Sequence, residues 1–252
     1  MKLACVYSGT AKSLEHYQKL SQQHKWVPAE IADVIIVLGG DGFLLQSIHD
    51  FGHLPAPIYG MNSGTVGFLL NQFQQDDLLQ RLALAHTETI SPIITKLTTV
   101  DGLIQEVKAF NEVALIRQGG QTASISVTIN GKERMPRLDG DGILIATPVG
   151  STAYNLSAGG PIVPVGANLL SLAPLNPFRP RSWSGALLPD SVEIEISTLQ
   201  QEKRPVSVAC DGNEVRNVIK AQCRLSNDIK VSLLFDPGHS LEDRIIREQF
   251  ET

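Results

Sequence analysis

The chain has 252 residues, 42% apolar and 19% charged, with 21 Lys plus Arg against 26 Asp plus Glu, a formal net charge of −5 at pH 7. That length allows one large domain or two ordinary ones around a substantial core, and the charge argues against generic nucleic-acid binding, which needs a basic footprint. No run approaches the roughly 18 apolar residues of a membrane span, Met1–Tyr7 is too short for a signal peptide, and Cys5, Cys210 and Cys223 show no CxxC spacing; the expectation is a soluble, cytoplasmic protein with reduced thiols.

Leu3–Tyr7 reads as a short apolar strand, and Leu14, Tyr17 and Leu20 then mark a polar helix. Val34–Leu38 is a second strand that runs straight into Gly39-Gly40-Asp41-Gly42. Phe43, Leu44 and Ile48 follow at helical spacing. Pro57–Met61 gives a third strand, and Leu78, Leu79, Leu82 and Leu84 another helix with Asp76-Asp77 near its start. This alternation predicts a parallel sheet flanked by helices, whose ligands gather at the carboxyl ends of the strands. Asp41 and Asn62 both fall just past such ends.

The texture changes near Ile90-Ser91-Pro92, beyond which short β runs alternate with turn signals. Asp101-Gly102 and Asn130-Gly131 separate pairs of strands, the second being a strong hairpin signal because both residues tolerate positive φ. Val192, Ile194 and Ile196 alternate, as do Val206 and Val208, and Ile229, Val231, Leu233 and Phe235 add a further β run. The tail Leu241–Phe250 reads as a helix. The expected division is an α/β domain over residues 1–89, a β-rich domain over 90–235, and a tail, 236–252, returning to the first domain.

Four segments carry the candidate chemistry. The turn Gly39–Gly42 presents backbone N–H groups at a helix start, where the dipole favours a phosphate. Its single carboxylate, Asp41, suits proton abstraction or metal holding better than gripping an anion, so the combination points to phosphoryl transfer. Alone, it reads equally well as a structural strand–helix turn. Asn62–Leu69 supplies small residues, hydroxyls and an amide past the third strand, with Asn62 and Phe68 as pocket candidates. Phe110-Asn111-Glu112-Val113 sets an amide and a carboxylate between apolar residues, a pair able to bond a ribose or a nicotinamide-type amide. The stretch Asp139–Pro164 is the densest: a strand at Ile143–Ala146, a glycine- and hydroxyl-rich turn, and a helix from Thr152 to Ser157 with Ser151 or Thr152 as N-cap. That helix start could take a diphosphate, and Tyr154 offers a stacking face. No residue set reads as a protein metal site; His49 and His53 stand four apart without a third ligand.

Gly39-Gly40-Asp41-Gly42, Asn111-Glu112, and Asp141-Gly142 through Gly150-Ser151-Thr152-Ala153-Tyr154 to Gly159-Gly160-Pro161 resemble the NAD kinase family, in order and over most of the chain. The resemblance implies an α/β domain with a parallel sheet and a β-rich C-terminal domain, with NAD in the crevice between them. It implies phosphorylation of the 2′-hydroxyl of the adenosine ribose of NAD by ATP, giving NADP and ADP. Asp41 would be the proton acceptor. Asp41, Gly42, Asn111, Glu112, Asp141, Thr152, Ala153, Tyr154, Asn155, Leu156, Ser157 and, more weakly, Asn213 would bind NAD. Mg²⁺ would come with ATP rather than sit in a protein cage, and the chain would form a dimer or tetramer, with no nucleic-acid or membrane partner. Asp139, where the family often has a basic residue, and Val149, where it often has a hydroxyl, depart from the pattern, as does Pro177–Gly185. The alternatives are a diacylglycerol-type lipid kinase, which shares the glycine–aspartate turn, and a non-catalytic dinucleotide sensor, which would not need Asp41.

Overall fold

A computed structural model describes residues 1–64, 67–238, 240–248 and 250. The chain divides into two compact units, residues 1–90 with 228–252, and residues 91–227. The elements of the first segment are β1 (Leu3–Tyr7), α1 (Ala11–Ser21), β2 (Val34–Gly39), α2 (Asp41–Phe51), β3 (Ile58–Asn62), α3 (Leu78–Leu84) and β4 (His86–Ile90). The second unit contributes β5 (Ile93–Thr99), β6 (Ile104–Ala109), β7 (Glu112–Arg117), β8 (Ala123–Ile129), β9 (Lys132–Gly140), β10 (Gly142–Ala146), α4 (Tyr154–Ser157), β11 (Leu169–Leu175), β12 (Ala186–Pro189), β13 (Ile194–Thr198), β14 (Val206–Cys210), β15 (Asn213–Val215) and β16 (Val218–Leu225). The chain then returns to the first unit through β17 (Val231–Phe235) and α5 (Leu241–Glu248).

The first unit is an α/β layer around a five-stranded sheet in the order β1-β2-β3-β17-β4. β1, β2 and β3 are parallel. β2 is buried along its whole length, as a strand covered on both faces must be. Val34, Ile36 and Leu38 join Leu3, Leu20, Tyr59, Met61, Leu78 and Leu82 in one cluster, while Ile35 and Val37 point to the opposite face. On α1 the buried face is Ser13, His16 and Leu20, and Leu14 is 39% exposed. The polar residues can be buried because they are satisfied: Ser13 Oγ donates to Thr10 O at 2.9 Å, and His16 Nδ1 lies 2.9 Å from Ser63 Oγ.

The strand β17, read from the sequence as part of the β-rich domain, instead completes the first unit's sheet. It pairs antiparallel with β4 from Val231↔Ile90 to Phe235↔His86, and parallel with β3 at Leu233↔Ile58. Alternating apolar residues specify a strand but not its neighbour, so the pattern alone could not assign it. Asn71 bridges the short β3–β17 pairing: Nδ2 donates to Gly60 O at 3.1 Å and Leu234 O at 2.9 Å, and Oδ1 accepts from Asp236 N at 2.9 Å.

The second unit stacks two six-stranded sheets, β12-β11-β10-β7-β14-β15 and β6-β5-β16-β13-β8-β9. Residues of both sheets, among them Ile93, Leu97, Val113, Leu115, Ile143, Ile145, Ile194, Ile196, Val206 and Val208, form one core. Asn130 (φ 49°) and Gly131 (φ 72°) make the β8–β9 turn. On the outer face of β7, β10 and β11, Ala114, Leu144, Ala146, Ala173 and Leu175 receive Ala158 from just beyond α4.

Asn71 is 1% exposed and its amide carries bonds to both strands. Asn71→Ala should therefore lower stability by about 3 kcal/mol, because it orphans buried backbone groups. Urea unfolding of the two proteins measures the difference, and a loss under about 0.5 kcal/mol, the range of ordinary surface substitutions, would remove the bridging role.

Candidate active site

In the first unit the site begins where β2 ends. Gly40 is the N-cap of α2 and Asp41 its first residue. The Asp41 carboxylate accepts from the backbone of the segment before Asn71: Phe68 N donates to Oδ2 at 2.6 Å and Leu69 N to Oδ1 at 2.9 Å. A carboxylate has about four lone-pair directions, so further acceptor capacity remains. A Cβ at Gly67 would lie 2.9 Å from Asp41 Oδ1 and 2.8 Å from Leu70 Cδ1, so those side chains would have to shift to admit it. Gly39 is similarly crowded, 2.7 Å from Phe43 Cδ1, whereas a Cβ at Gly40 or Gly42 would meet nothing within 4 Å. Those two positions leave room beside Asp41 at a helix N-terminus, which favours an anion. Asn62, the last residue of β3, pairs in register with Gly39 and accepts from Gly64 N at 2.7 Å.

In the second unit a turn at Phe110–Glu112 leads into β7. Asp211 holds it from one side, its carboxylate accepting from Phe110 N at 2.6 Å, Asn111 N at 2.9 Å and Glu112 N at 3.4 Å. Asp211 (φ 48°) and Gly212 (φ 88°) form the two-residue turn between β14 and β15, the geometry for which Asp-Gly is favoured. The turn's carbonyls are held as well. Thr147 Oγ1 donates to Phe110 O at 2.6 Å and Thr147 N to Asn111 O at 3.0 Å. Gly150 approaches so closely that a Cβ would lie 2.1 Å from Asn111 O. With its backbone fixed, the turn presents two buried acceptors, Asn111 Oδ1 and Glu112 Oε2, that take no hydrogen bond among the described residues. Burial, and then the Asp211 charge, push the Glu112 carboxyl up to about 7.

A cavity of about 360 Å³ lies on the same unit at the other end of β7, lined among others by Arg117, Asp141, Tyr154, Ser157, Leu175 and Asn176. Asp141 accepts from Arg117 Nε at 2.5 Å and Asn176 Nδ2 at 2.8 Å. The bonds from Asn176 and Arg117 hold its carboxyl below the usual range. Tyr154 is 40% exposed and Ser157 is exposed, while Thr152 and Ala153 are half-buried and Leu156 is exposed. Asn155 differs: it is fully buried, Nδ2 donates to Ser151 O and Pro161 O at 3.1 and 2.9 Å, and Oδ1 accepts from Ser171 Oγ at 2.8 Å. The helix expected over Thr152–Ser157 is a 3₁₀ turn at Val149–Thr152 followed by the single turn α4, with Ala153 at the N-cap and no side-chain cap. Ser151, expected to cap, instead donates to Pro148 O at 2.6 Å and accepts from Val163 N at 2.9 Å. Bonding to the loop that follows takes the hydroxyl away from the helix start. A second cavity of about 330 Å³, lined by Lys96, Glu106, Glu193, Glu195 and Arg224 among others, includes none of the candidate residues.

Residues 8–87 match the model of the ATP-NAD kinase N-terminal domain, and residues 110–224 that of the ATP-NAD kinase C-terminal domain. A curated NAD kinase of Brucella suis biovar 1 (strain 1330) is 48% identical over 99% of this chain and 97% of its own. The chain belongs to the ATP-NAD kinase family. Two solved structures share the fold: a yeast NADH kinase complexed with NADH, with TM-score 0.85 and 21% identity over 99% of this chain and 87% of that one, and an NAD kinase from Archaeoglobus fulgidus in complex with ATP, with TM-score 0.79 and 24% identity over 98% of each. The α/β unit with its parallel sheet and the β-rich unit are the architecture expected for this family.

Of the residues singled out in the sequence, Asp41, Asn62 and Phe68 gather in the first unit, while Asn111, Glu112, Asp141 and Thr152–Ser157 lie in the second. Asn213 is exposed at the start of β15. In the turn before it the bonding is done by Asp211 rather than Asn213, and Asp211-Gly212 between alternating runs is itself a hairpin signal. Among the described residues no three His, Cys, Asp or Glu side chains converge as a metal site.

Burial of Glu112 couples its ionisation to stability. A carboxyl raised in the folded state contributes stability that is full below the ordinary 4.5 and is lost as pH rises through about 7. Glu112→Gln should therefore flatten the dependence of melting temperature on pH over about pH 5–8. Parallel profiles for the two proteins would place the Glu112 carboxyl in water-like surroundings.

Proposed function

We propose that the protein transfers the γ-phosphoryl group of ATP to the 2′-hydroxyl of the adenosine ribose of NAD, giving NADP and ADP. The observation that carries this reading is the Asp41 carboxylate, fixed by Phe68 N and Leu69 N beside two glycines whose front faces are open. Such a group is placed to receive a proton while phosphates lie against bare backbone. The hydroxyl oxygen attacks the γ-phosphorus, the bond from that phosphorus to the β,γ-bridging oxygen breaks, and ADP leaves with the electron pair. Asp41 takes the hydroxyl proton. Because phosphoryl transfer passes through a loose transition state, orienting the hydroxyl is as much its task as basicity.

The dinucleotide is assigned to Gly42, Asn111, Glu112, Asp141, Thr152, Ala153, Tyr154, Leu156, Ser157 and Asn213, with Asn62 and Phe68 beside Asp41. The unpartnered Asn111 Oδ1 and Glu112 Oε2 are acceptors, suited to ribose hydroxyls, which are donors. Asn155, satisfied within the protein, braces the segment by its side chain rather than touching ligand. The polar lining around Asp141 suits a dinucleotide better than the acyl chains of a lipid-kinase substrate. The α/β unit is assigned the phosphoryl-transfer chemistry and the β-rich unit acceptor recognition.

A divalent ion, Mg²⁺, is assigned to the ATP phosphates. No three His, Cys, Asp or Glu side chains converge among the described residues, so its ligands would be mainly phosphate oxygens and water, with at most one or two protein carboxylates, rather than a protein cage. When bound it neutralises charge on the β- and γ-phosphates. A cytoplasmic dimer or tetramer is proposed from the family resemblance; no helix among the described residues is long and apolar enough to cross a membrane.

The reaction is tested by incubation with ATP, Mg²⁺ and NAD, read out with an NADP-specific dehydrogenase; folded protein forming no NADP above a blank would refute it. Asp41→Asn should lower kcat by about 10²–10⁴ with NAD binding retained, and wild-type turnover would remove Asp41 from the chemistry. Gly42→Ala separates room for ligand from fold. The helix should gain about 0.5–1 kcal/mol, since the new methyl meets nothing within 4 Å, while kcat/KM falls. An unchanged kcat/KM would show that the open face of Gly42 is not used.

A further inference from the structure

The segment that holds Asp41 is itself held from the opposite side. Arg244, on the C-terminal helix α5, directs Nη1 at three carbonyls of this segment: Leu70 O at 2.6 Å, Phe68 O at 2.8 Å and Gly67 O at 3.3 Å. Two peptide groups are thereby gripped at both ends. The Gly67–Phe68 peptide gives its carbonyl to Arg244 and its N–H to Asp41 Oδ2, and the Phe68–Leu69 peptide gives its carbonyl to Arg244 and its N–H to Asp41 Oδ1. In a trans peptide the C=O and N–H point in opposite directions, so the guanidinium and the carboxylate flank one strip of backbone. A cation at the carbonyl end also polarises each peptide, and hydrogen bonds in series strengthen one another.

Arg244 is equipped for such a role by its own surroundings. Its guanidinium carbon lies 5.5 Å from the centroid of the fully buried Phe235 ring in β17. The helix is anchored without it: Leu241 and Ile245 are both fully buried. Ser240 caps the first turn, with Asp243 N donating to its Oγ at 3.0 Å and that Oγ donating to Asp243 Oδ2 at 2.8 Å. Removing the guanidinium therefore releases residues 67–70 rather than the helix.

We propose that Arg244 is a positioning residue for phosphoryl transfer: through the Gly67–Leu70 backbone it fixes the Asp41 carboxylate in the orientation that receives the hydroxyl proton. The inference rests on the reading of Asp41 given above. It makes the C-terminal helix part of the catalytic apparatus, although no residue of that helix is assigned a contact with substrate.

The test compares wild type, Arg244→Ala, Arg244→Lys, Asp41→Asn and the Asp41→Asn/Arg244→Ala double variant, all full-length, in the NADP-forming assay, with melting temperatures alongside. Arg244→Ala should lower kcat by about 10- to 100-fold, the scale of a small misplacement at a reacting centre, with KM for NAD and for ATP within about twofold, because kcat reports an interaction used in the transition state. Arg244→Lys, which can still donate to carbonyls, should recover part of the loss. In the Asp41→Asn background, Arg244→Ala should cost less than about twofold more, since residues acting as one unit are not additive. Multiplying losses in the double variant, no recovery with lysine, or wild-type kcat in Arg244→Ala would each overturn the inference. If Arg244→Ala does not fold, the lysine variant and its combination with Asp41→Asn carry the same comparison. Wild-type kcat in Asp41→Asn would defeat the Asp41 reading. A low kcat there with normal turnover in Arg244→Ala would defeat the Arg244 inference alone.

Discussion

The first unit depends on one carboxylate bonded to backbone. β2 is buried throughout, so its end at Gly39 is fixed, and α2 starts two residues on with Asp41 facing Phe68 N and Leu69 N. Bonds from amides to an ionised acceptor are each worth about 1.5–3 kcal/mol, and two together make a swinging carboxylate costly. The restraint extends along the chain. Residues 67–70 meet Arg244, and Asn71 ties the next position to β3 and β17. A proton acceptor at a strand end would otherwise sit opposite a loop free to drift, and orientation is worth much of a barrier in phosphoryl transfer.

The second unit uses the same device with a different carboxylate. Asp211 reaches from a hairpin turn to three backbone N–H groups of the Phe110–Glu112 turn, while Thr147 binds the carbonyl side. In both places polar side chains are engaged in holding backbone. The arrangement has an electrostatic cost at Glu112, where burial and the adjacent Asp211 charge both favour the neutral acid. Near neutral pH that side chain is divided between the neutral acid and the carboxylate; on the proposed reading, a hydroxyl that donates to Oε2 favours the carboxylate and so releases a proton.

What the sequence revealed and what it hid divide along contact range. The apolar run Val34–Leu38 before Gly39–Gly42 announced a buried strand and helix start, and Asn130-Gly131 announced its hairpin, because both are consequences of neighbours in sequence. Asp211 lies 101 positions from Phe110 and Arg244 174 from Leu70; no local pattern encodes such pairings. β17 was recognisable as a strand but not as a neighbour of β3. On α1, Leu20 is buried and Tyr17 packs against the core, as their spacing suggests, but Ser13 and His16 also go inward with their bonds satisfied while Leu14 is exposed. Ser151 has the position and chemistry of a helix cap, but its hydroxyl bonds Pro148 O and Val163 N instead.

The distribution of charge also follows from the substrates assigned here. A chain of net charge −5 that presents carboxylates at Asp41, Glu112 and Asp141 would repel two polyphosphates if those groups faced phosphorus. Carboxylates are instead suited to hydroxyl donors, which a dinucleotide carries on its riboses. Phosphates are then left to neutral backbone N–H groups at glycines and to the cation that travels with ATP. Gly40 and Gly42 are open where Gly39 and Gly67 are crowded; on the proposed reading the open pair would serve ligand and the crowded pair packing. On the proposed reading, the charge that stabilises the transferring group would be brought by the substrate complex, and the protein's part would be to hold Asp41 in place against the strip of backbone bonded to it.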